Sequence, residues 1–129
     1  MRFRLLAGVI CVAATACAPT GPLRESPVHA ARMQEAAAAY TDCVAREAEK
    51  HVKNPAGAED IAVAAHGRCW SAWEAYRDAS RINFFHAVRT AEEKQLAGDR
   101  LEAHLRGFEL ETRRAVVDDV IQRGFPGGR

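Results

Sequence analysis

The chain has 129 residues, of which 48% are hydrophobic and 27% are charged, and its formal net charge is +1. This length predicts one domain with a modest core, and the composition is that of a folded protein rather than a disordered one. The near-neutral charge argues against the strongly basic surface that binds nucleic acid or an anionic membrane.

The first 16 residues have the three-part order of a secretory signal peptide. Arg2 and Arg4 form a short positive region, and an apolar run of about 12 residues follows it and ends in small residues. The run is too short to span a bilayer as a helix. This order predicts export with removal of residues 1–16, and a buried N-terminal helix is the alternative. Removal of these two of the 18 basic residues would leave 16 against 17 acidic ones, a net charge of about −1.

The end of this segment, Ala14-Thr15-Ala16-Cys17, resembles the lipobox of bacterial lipoproteins. The resemblance implies that Cys17 is acylated and becomes the mature N-terminus. Residues 17–25 contain proline and glycine and would serve as a flexible tether between the lipid and the domain. Because Ala18 rather than aspartate follows the cysteine, the resemblance implies the outer membrane, with the domain facing the periplasm. The alternative is ordinary cleavage after residue 16 or 18, which would release a soluble periplasmic protein.

The remaining cysteines predict a disulfide. Cys11 would be lost with the signal peptide and Cys17 would carry the lipid, which leaves Cys43 and Cys69 in an oxidising compartment. Their midpoint lies in Asn54-Pro55-Ala56-Gly57, a turn signal in the middle of the chain. Two helices folded back at this turn would place the two sulfurs at the same level. The sequence therefore predicts a helical hairpin stapled by a disulfide.

The first two predicted helices flank this turn. Ser26 and Pro27 suit an N-cap and a first helical position, so helix 1 is predicted from there to about Lys53, and helix 2 begins near Ala58. Pairing about the turn places large residues opposite small ones, which permits the close approach that a disulfide needs. The pairs are Tyr40 with Ala72 and Tyr76 with Ala36.

A third helix completes the predicted domain. The polar stretch 80–83 weakens the helical pattern and predicts a bend or short loop, after which helix 3 runs from about Phe84 to Arg123. One continuous helix is the alternative, because no proline lies between Pro55 and Pro126. Gly124 is a natural C-cap, and the Pro-Gly-Gly sequence after it predicts a disordered tail at 125–129. The fold class is therefore predicted to be all-α, a three-helix bundle over residues 26–124.

Glu47, His51 and His66 are the candidate metal ligands. The hairpin register places Glu47 almost level with His66, and His51 lies one turn further along the same face. A carboxylate with two imidazoles suits zinc or copper, or acid-base chemistry. The alternative is a structural ion pair between Glu47 and His66, with His51 at the rim.

The candidate partner-binding residues lie on helix 2 and helix 3. Helix 3 carries two apolar stripes, and one of them includes Leu110, Val117 and Ile121. One stripe covers the hairpin, and the other is available for a second copy or for another envelope protein unless the helix wraps the hairpin with both. Trp70 points away from Cys69 and either packs under helix 3 or stands exposed as an interface residue.

The chain has no phosphate-binding loop, no nucleophile signature and no haem-attachment motif. We therefore expect a non-enzymatic envelope lipoprotein without a cofactor, which acts as a structural or protein-interaction module. A periplasmic protein that binds a metal or a small ligand is the alternative.

Overall fold

A computed structural model describes residues 26–53 and 56–124 of the chain. Several predictions concern residues outside these ranges and are not tested by the structure. They are the signal peptide 1–16, the lipidated Cys17, the tether 17–25 and the tail 125–129. Residues 54 and 55 of the predicted turn also lie outside the described residues.

Every regular element in the described ranges is a helix, which confirms the all-α fold class. The helices are α1 (Pro27–Glu49), α2 (Ala58–Arg68), α3 (Trp70–Phe85) and α4 (Ala91–Gly124). The predicted count of three helices is not confirmed, because the predicted helix 2 is divided into α2 and α3. None of these helices is long and apolar enough to cross a membrane.

The division between α2 and α3 falls at Cys69. This residue has φ −97° and ψ 19°, and its N–H is shared between the carbonyl oxygens of Ala65 and His66. The N–H of Trp73 still donates to the carbonyl of Cys69 at 3.0 Å. The hydrogen bonding therefore continues across the junction, although one residue leaves helical geometry.

The predicted bend at 80–83 is wrong, because these residues lie inside α3. Ser80 is fully buried and Asn83 is 8% exposed, so two of the three polar side chains that weaken the pattern face the interior. The connection lies further along, at residues 86–90.

A capping box begins α4. The N–H of Glu93 donates to the Thr90 hydroxyl at 3.1 Å, and the N–H of Thr90 donates to the Glu93 carboxylate at 3.0 Å. The N–H of Arg89 donates to the same carboxylate, and these bonds lower the pKa of Glu93. This reciprocal arrangement satisfies backbone donors that a helix start leaves free. The last helix therefore begins at Ala91, whereas the sequence predicted a start at about Phe84.

The disulfide hairpin is confirmed. Cys43 on α1 is bonded to Cys69, with 5.9 Å between their Cα atoms. Because Met33 also meets Asn83 further along, at 3.8 Å between Sδ and Nδ2, α1 runs antiparallel to α2 and α3. The level at which the two helices are bridged is therefore the one that the turn predicted for Cys43 and Cys69.

The last helix runs antiparallel to α2 and α3 and returns to the turn end of the hairpin. Arg113 of α4 forms an ion pair with Glu59 of α2, and Arg123 meets Glu49 of α1 at 2.8 Å. The residues of α4 that face the hairpin include Ala97, Thr112, Val116 and Val120.

Aromatic rings fill the centre of the core. The Tyr40 ring lies 5.1 Å from that of Trp73, and the Tyr76 ring lies 4.4 Å from that of Phe108. Both tyrosines are only 1% exposed. The core contains these buried residues: Tyr40, Val44, Ala48, Ile61, Ala62, Ala65, Cys69, Trp73, Tyr76, Val116 and Val120.

A tyrosine–histidine hydrogen bond joins α3 to α4. The Tyr76 hydroxyl lies 2.7 Å from His104 Nε2. Burial raises the pKa of Tyr76 and lowers the pKa of His104. The phenol therefore keeps its proton and donates it to a neutral imidazole.

This bond predicts a loss of stability in mild acid. The unfolded chain protonates His104 near pH 6.5, whereas the folded chain resists protonation to lower pH. The contribution of His104 is therefore complete above pH 6.5 and is lost as the pH falls through and below that value. Urea unfolding at pH 7, 6 and 5 measures the free energy of unfolding. From pH 7 to pH 5 it should fall less in His104→Gln than in the wild type, because the glutamine amide does not titrate and its oxygen still accepts from Tyr76. Equal losses in the two proteins would contradict the assignment.

Candidate functional site

The three predicted metal ligands do not form a site. The Glu47 carboxylate is paired with Lys50 and lies 3.5 Å from Arg68 Nη1, and the hydrogen bond from Lys50 is the main cause of its lowered pKa. His51 Nε2 accepts from Arg68 Nη1 at 2.7 Å. A guanidinium therefore occupies the position where a cation would have to bind.

The alternative ion pair between Glu47 and His66 is not formed either. His66 Nδ1 is instead hydrogen-bonded to the Tyr40 hydroxyl at 2.7 Å. Burial, with a smaller contribution from Glu109, raises the pKa of Tyr40 to about 12, so the phenol donates to the imidazole. Throughout the described ranges, no three His, Cys, Asp or Glu residues are grouped as metal ligands.

A small cavity lies beside His66, between α1, α2 and α4. Its volume is about 100 Å³, well below the roughly 300–1,000 Å³ of pockets that hold drug-sized ligands. It is lined by Tyr40, Val44, Ala62, Val63, His66, Glu109, Thr112 and Arg113. This cavity gives no support to the binding of a larger organic ligand.

Trp70 stands exposed, which is one of the two predicted alternatives. Its side chain is 51% exposed, and its ring meets that of His66 edge-on at 5.9 Å. It lies at the start of α3, on the outside of the hairpin. Trp70 is therefore available to a partner but belongs to α3 rather than to the surface of α4.

The outer face of α4 carries an apolar stripe. We call Leu96, Ala103, Leu110, Val117 and Ile121 the α4 outer stripe. At 100° per residue these side chains point away from the face that bears Thr112 and Val116. Leu96, Leu110 and Ile121 are 45%, 52% and 46% exposed, while Val117 is half-buried against the core. Of the predicted residues on this helix, two are exposed and one is shared with the core.

The stripe has the spacing of a coiled-coil seam and a charged border. Its first four members recur every seven residues, which is the repeat that presents one row of side chains to a neighbouring helix. Arg100, Arg106 and Arg114 are exposed beside it and have no ion pair within the described residues. A groove of about 350 Å³ lies between Leu110, Val117 and Glu59. Asp99 and Asp118 are exposed on the same border and likewise form no ion pair within the described residues. The surface therefore combines apolar area with unpaired charges of both signs, among which the arginines flank its centre.

A second cluster, at the open end of the hairpin, was not predicted. His29 and Met33 of α1 lie opposite Asn83 of α3 and its C-cap His86. The rings of His29 and His86 are 5.2 Å apart, and Asn83 Nδ2 donates to Met33 Sδ at 3.8 Å. The signal that could have found this cluster is the hairpin register. The same pairing that joins 43 to 69 brings 29 to the level of 83, and 33 and 86 lie within about one helical turn of that level.

Comparisons with protein families, with curated proteins and with solved structures found no match to this chain.

Proposed function

We propose that this protein is an exported, non-enzymatic envelope protein, anchored by lipid on Cys17, that binds an acidic amphipathic helix of another envelope protein. The order of the first 16 residues and the lipobox-like Ala14-Thr15-Ala16-Cys17 support export and lipidation. The disulfide is in keeping with an oxidising compartment. The observation that carries the interaction is the exposed α4 outer stripe.

Apolar burial would supply much of the affinity. Leu96, Leu110 and Ile121 are each about half exposed. Since full burial of such a side chain contributes roughly 1.5–3 kcal/mol, covering the exposed halves of all three would contribute a few kcal/mol. The seven-residue spacing suits a helical occupant, because a helix presents its own apolar row at the same repeat.

The arginines beside the α4 outer stripe indicate which kind of helix would bind there. Arg100 and Arg114 lie in one row beside the stripe, seven residues either side of Gly107. In a symmetric parallel pair of α4 helices, each arginine would face its own copy, which disfavours self-association. Glutamates or aspartates on a partner helix would instead neutralise both. The proposed occupant is therefore an acidic helix rather than a second copy.

We infer that the four helices form a bundle of three columns, which are α1, α2 together with α3, and α4, and that this bundle supports the α4 outer stripe. The hydrogen bonding across Cys69 lets α2 and α3 act as one bent column between α1 and α4. The disulfide and the aromatic core fix this column to α1. The α4 outer stripe is then carried on a rigid support, which limits the entropy lost on binding.

Leu110→Glu should reduce affinity for the partner at least tenfold, because it places a charge in the centre of the α4 outer stripe. Its effect on stability should stay within about 0.5 kcal/mol, since the residue is half exposed. Ile82→Glu is the matched control, because Ile82 is similarly exposed, at 47%, on α3. A photo-crosslinking amino acid at position 110 or 82 of the full chain, in native membranes, locates the binding surface. The same amino acid at Ala103, which is exposed on the stripe, compares the adduct yields of the two glutamate variants.

We expect an adduct from position 110 and not from position 82, with the crosslinked peptide mapping to an acidic helix. Charge reversal at Arg100 and Arg114 should weaken the adduct, as should high salt. An adduct with a second copy of this chain, or equal adducts from both positions, would contradict the proposed occupant. The mass of the mature protein from the same membranes tests the anchor, since an unmodified residue 17 or 19 at the N-terminus would refute lipidation.

A further inference from the structure

We propose that the open end of the hairpin binds one Cu(I) ion through His29, Met33 and His86. The three side chains come from the start of α1 and the C-terminal end of α3, which the antiparallel register brings together. This site is separate from the α4 outer stripe and does not depend on the function proposed for it.

His86 is held in the form that a metal needs. Its Nδ1 lies 2.7 Å from the backbone carbonyl of Asn83. A carbonyl oxygen only accepts, so Nδ1 must carry the proton. In the neutral ring the lone pair is then on Nε2. Ligand histidines in proteins characteristically donate their other ring nitrogen to a carbonyl or carboxylate in this way.

His29 supplies a buried nitrogen without a hydrogen bond. Its Nδ1 is shielded from solvent and has no partner among the described residues. A buried polar atom left in this state costs free energy, and such atoms in native proteins call for an explanation. Coordination of a cation by Nδ1 would satisfy it.

The distance between the two rings fits shared coordination. Their centroids are 5.2 Å apart. A metal bound at about 2.0–2.1 Å to one nitrogen of each ring, with tetrahedral or trigonal angles, requires centroids roughly 5–5.5 Å apart. His86 is exposed and His29 is half-buried, so an ion can enter past His86.

Met33 determines the kind of metal. It lies one turn after His29 on the same face of α1, and the Asn83 amide holds its sulfur. Thioether sulfur is a soft ligand that selects Cu(I) over zinc and other harder ions. The cluster contains no carboxylate, and neutral ligands accommodate a single positive charge more easily than a double one. Asn83 is a positioning residue, because it contacts both Met33 and His86.

The test uses the methionine methyl groups, because the chain has only two methionines, Met1 and Met33. Full-length protein that keeps residues 1–16, and therefore Met1, is labelled with ¹³C in the methionine methyl groups and titrated in detergent with Ag(I), a redox-inert probe for a Cu(I) site. Cys11→Ser and Cys17→Ser are present throughout to remove free thiols, and a thiol assay verifies the intact disulfide. The Met33 signal should change and saturate at one Ag(I) per chain, while the Met1 signal stays in place.

His29→Gln and His86→Gln should each weaken Ag(I) binding at least tenfold, and His51→Gln should leave it unchanged. Cu(I), delivered from a colorimetric chelator, should rank the variants in the same order, and Zn(II) should not move the Met33 signal. Met33→Leu, which conserves volume, should abolish the Ag(I)-induced changes in the His29 and His86 ring signals, with circular dichroism verifying the fold.

Three results would overturn the site. They are an unchanged Met33 signal at saturating Ag(I), parallel changes in both methionine signals, and wild-type affinity in the two histidine variants. Wild-type Ag(I) affinity in the two histidine variants would show that Met33 binds the ion without His29 and His86.

Discussion

Replacing both Cys43 and Cys69 by alanine should lower the free energy of unfolding by about 3.5 kcal/mol, the value expected for releasing a loop closed over a sequence separation of 26. This is a large share of the total, because domains of this size are stable by roughly 5–15 kcal/mol. The melting temperature should fall by about 15–25 °C. Urea and thermal unfolding followed by circular dichroism measure both quantities.

Reduction of the wild-type protein should give the same loss, since it removes the same constraint from the unfolded chain. Cys11→Ser with Cys17→Ser is the control and should leave unfolding unchanged, because neither residue belongs to the bridge. A loss below about 1 kcal/mol in the alanine variant would show that the packing of α1 against α3 holds the hairpin without the covalent bond.

The hairpin was predictable because its determinants are local or symmetric about one turn. Pro55 and Gly57 stop a helix by backbone chemistry, and the two cysteines lie equally far from them. In the pairing that the sequence predicts, large residues also lie opposite small ones. Each observation points to the same pairing, and agreement of this kind specifies a fold more strongly than any one propensity.

The helix ends were less predictable, because burial overrides local preference. Ser80 and Asn83 are polar and weaken the helical pattern, yet both are buried inside α3. The break at Cys69 involves one residue and no proline or glycine. The start of α4 did carry a local signal, since Thr90 and Glu93 have the spacing of a capping box. The predicted bend at 80–83 placed the helix start at Phe84 instead.

The partners of the candidate site residues were also less predictable from the sequence. The register placed Glu47 near the level of His66, but it did not reveal that Lys50 and Arg68 would take up the carboxylate. Competing partners for a charged side chain depend on rotamers, and a one-dimensional pattern does not contain them. The exposed stripe of α4 was found because it depends only on helical periodicity.

Tyr40→Ala should cost about 4 kcal/mol, because truncation of a large buried ring removes its transfer free energy and leaves a cavity. Tyr40 is 1% exposed, and its ring meets those of His66, Trp73 and Phe108. It therefore joins α1 to α2, α3 and α4. Trp70→Ala is the matched control, since Trp70 is also aromatic but 51% exposed, and it should cost less than about 1 kcal/mol.

Tyr40→Phe separates the hydroxyl from the ring. The ring packing is retained, but His66 Nδ1 loses its partner, so the expected cost is about 1–2 kcal/mol. Urea unfolding at pH 7 of Tyr40→Ala, Tyr40→Phe and Trp70→Ala measures these costs. The free energy of unfolding should be much lower for Tyr40→Ala than for Tyr40→Phe. If the phenylalanine variant were as unstable as the alanine variant, the hydrogen bond to His66 would be the main contribution of this residue. The aromatic cluster would then be a consequence of that bond rather than the support that aligns α1 with α4.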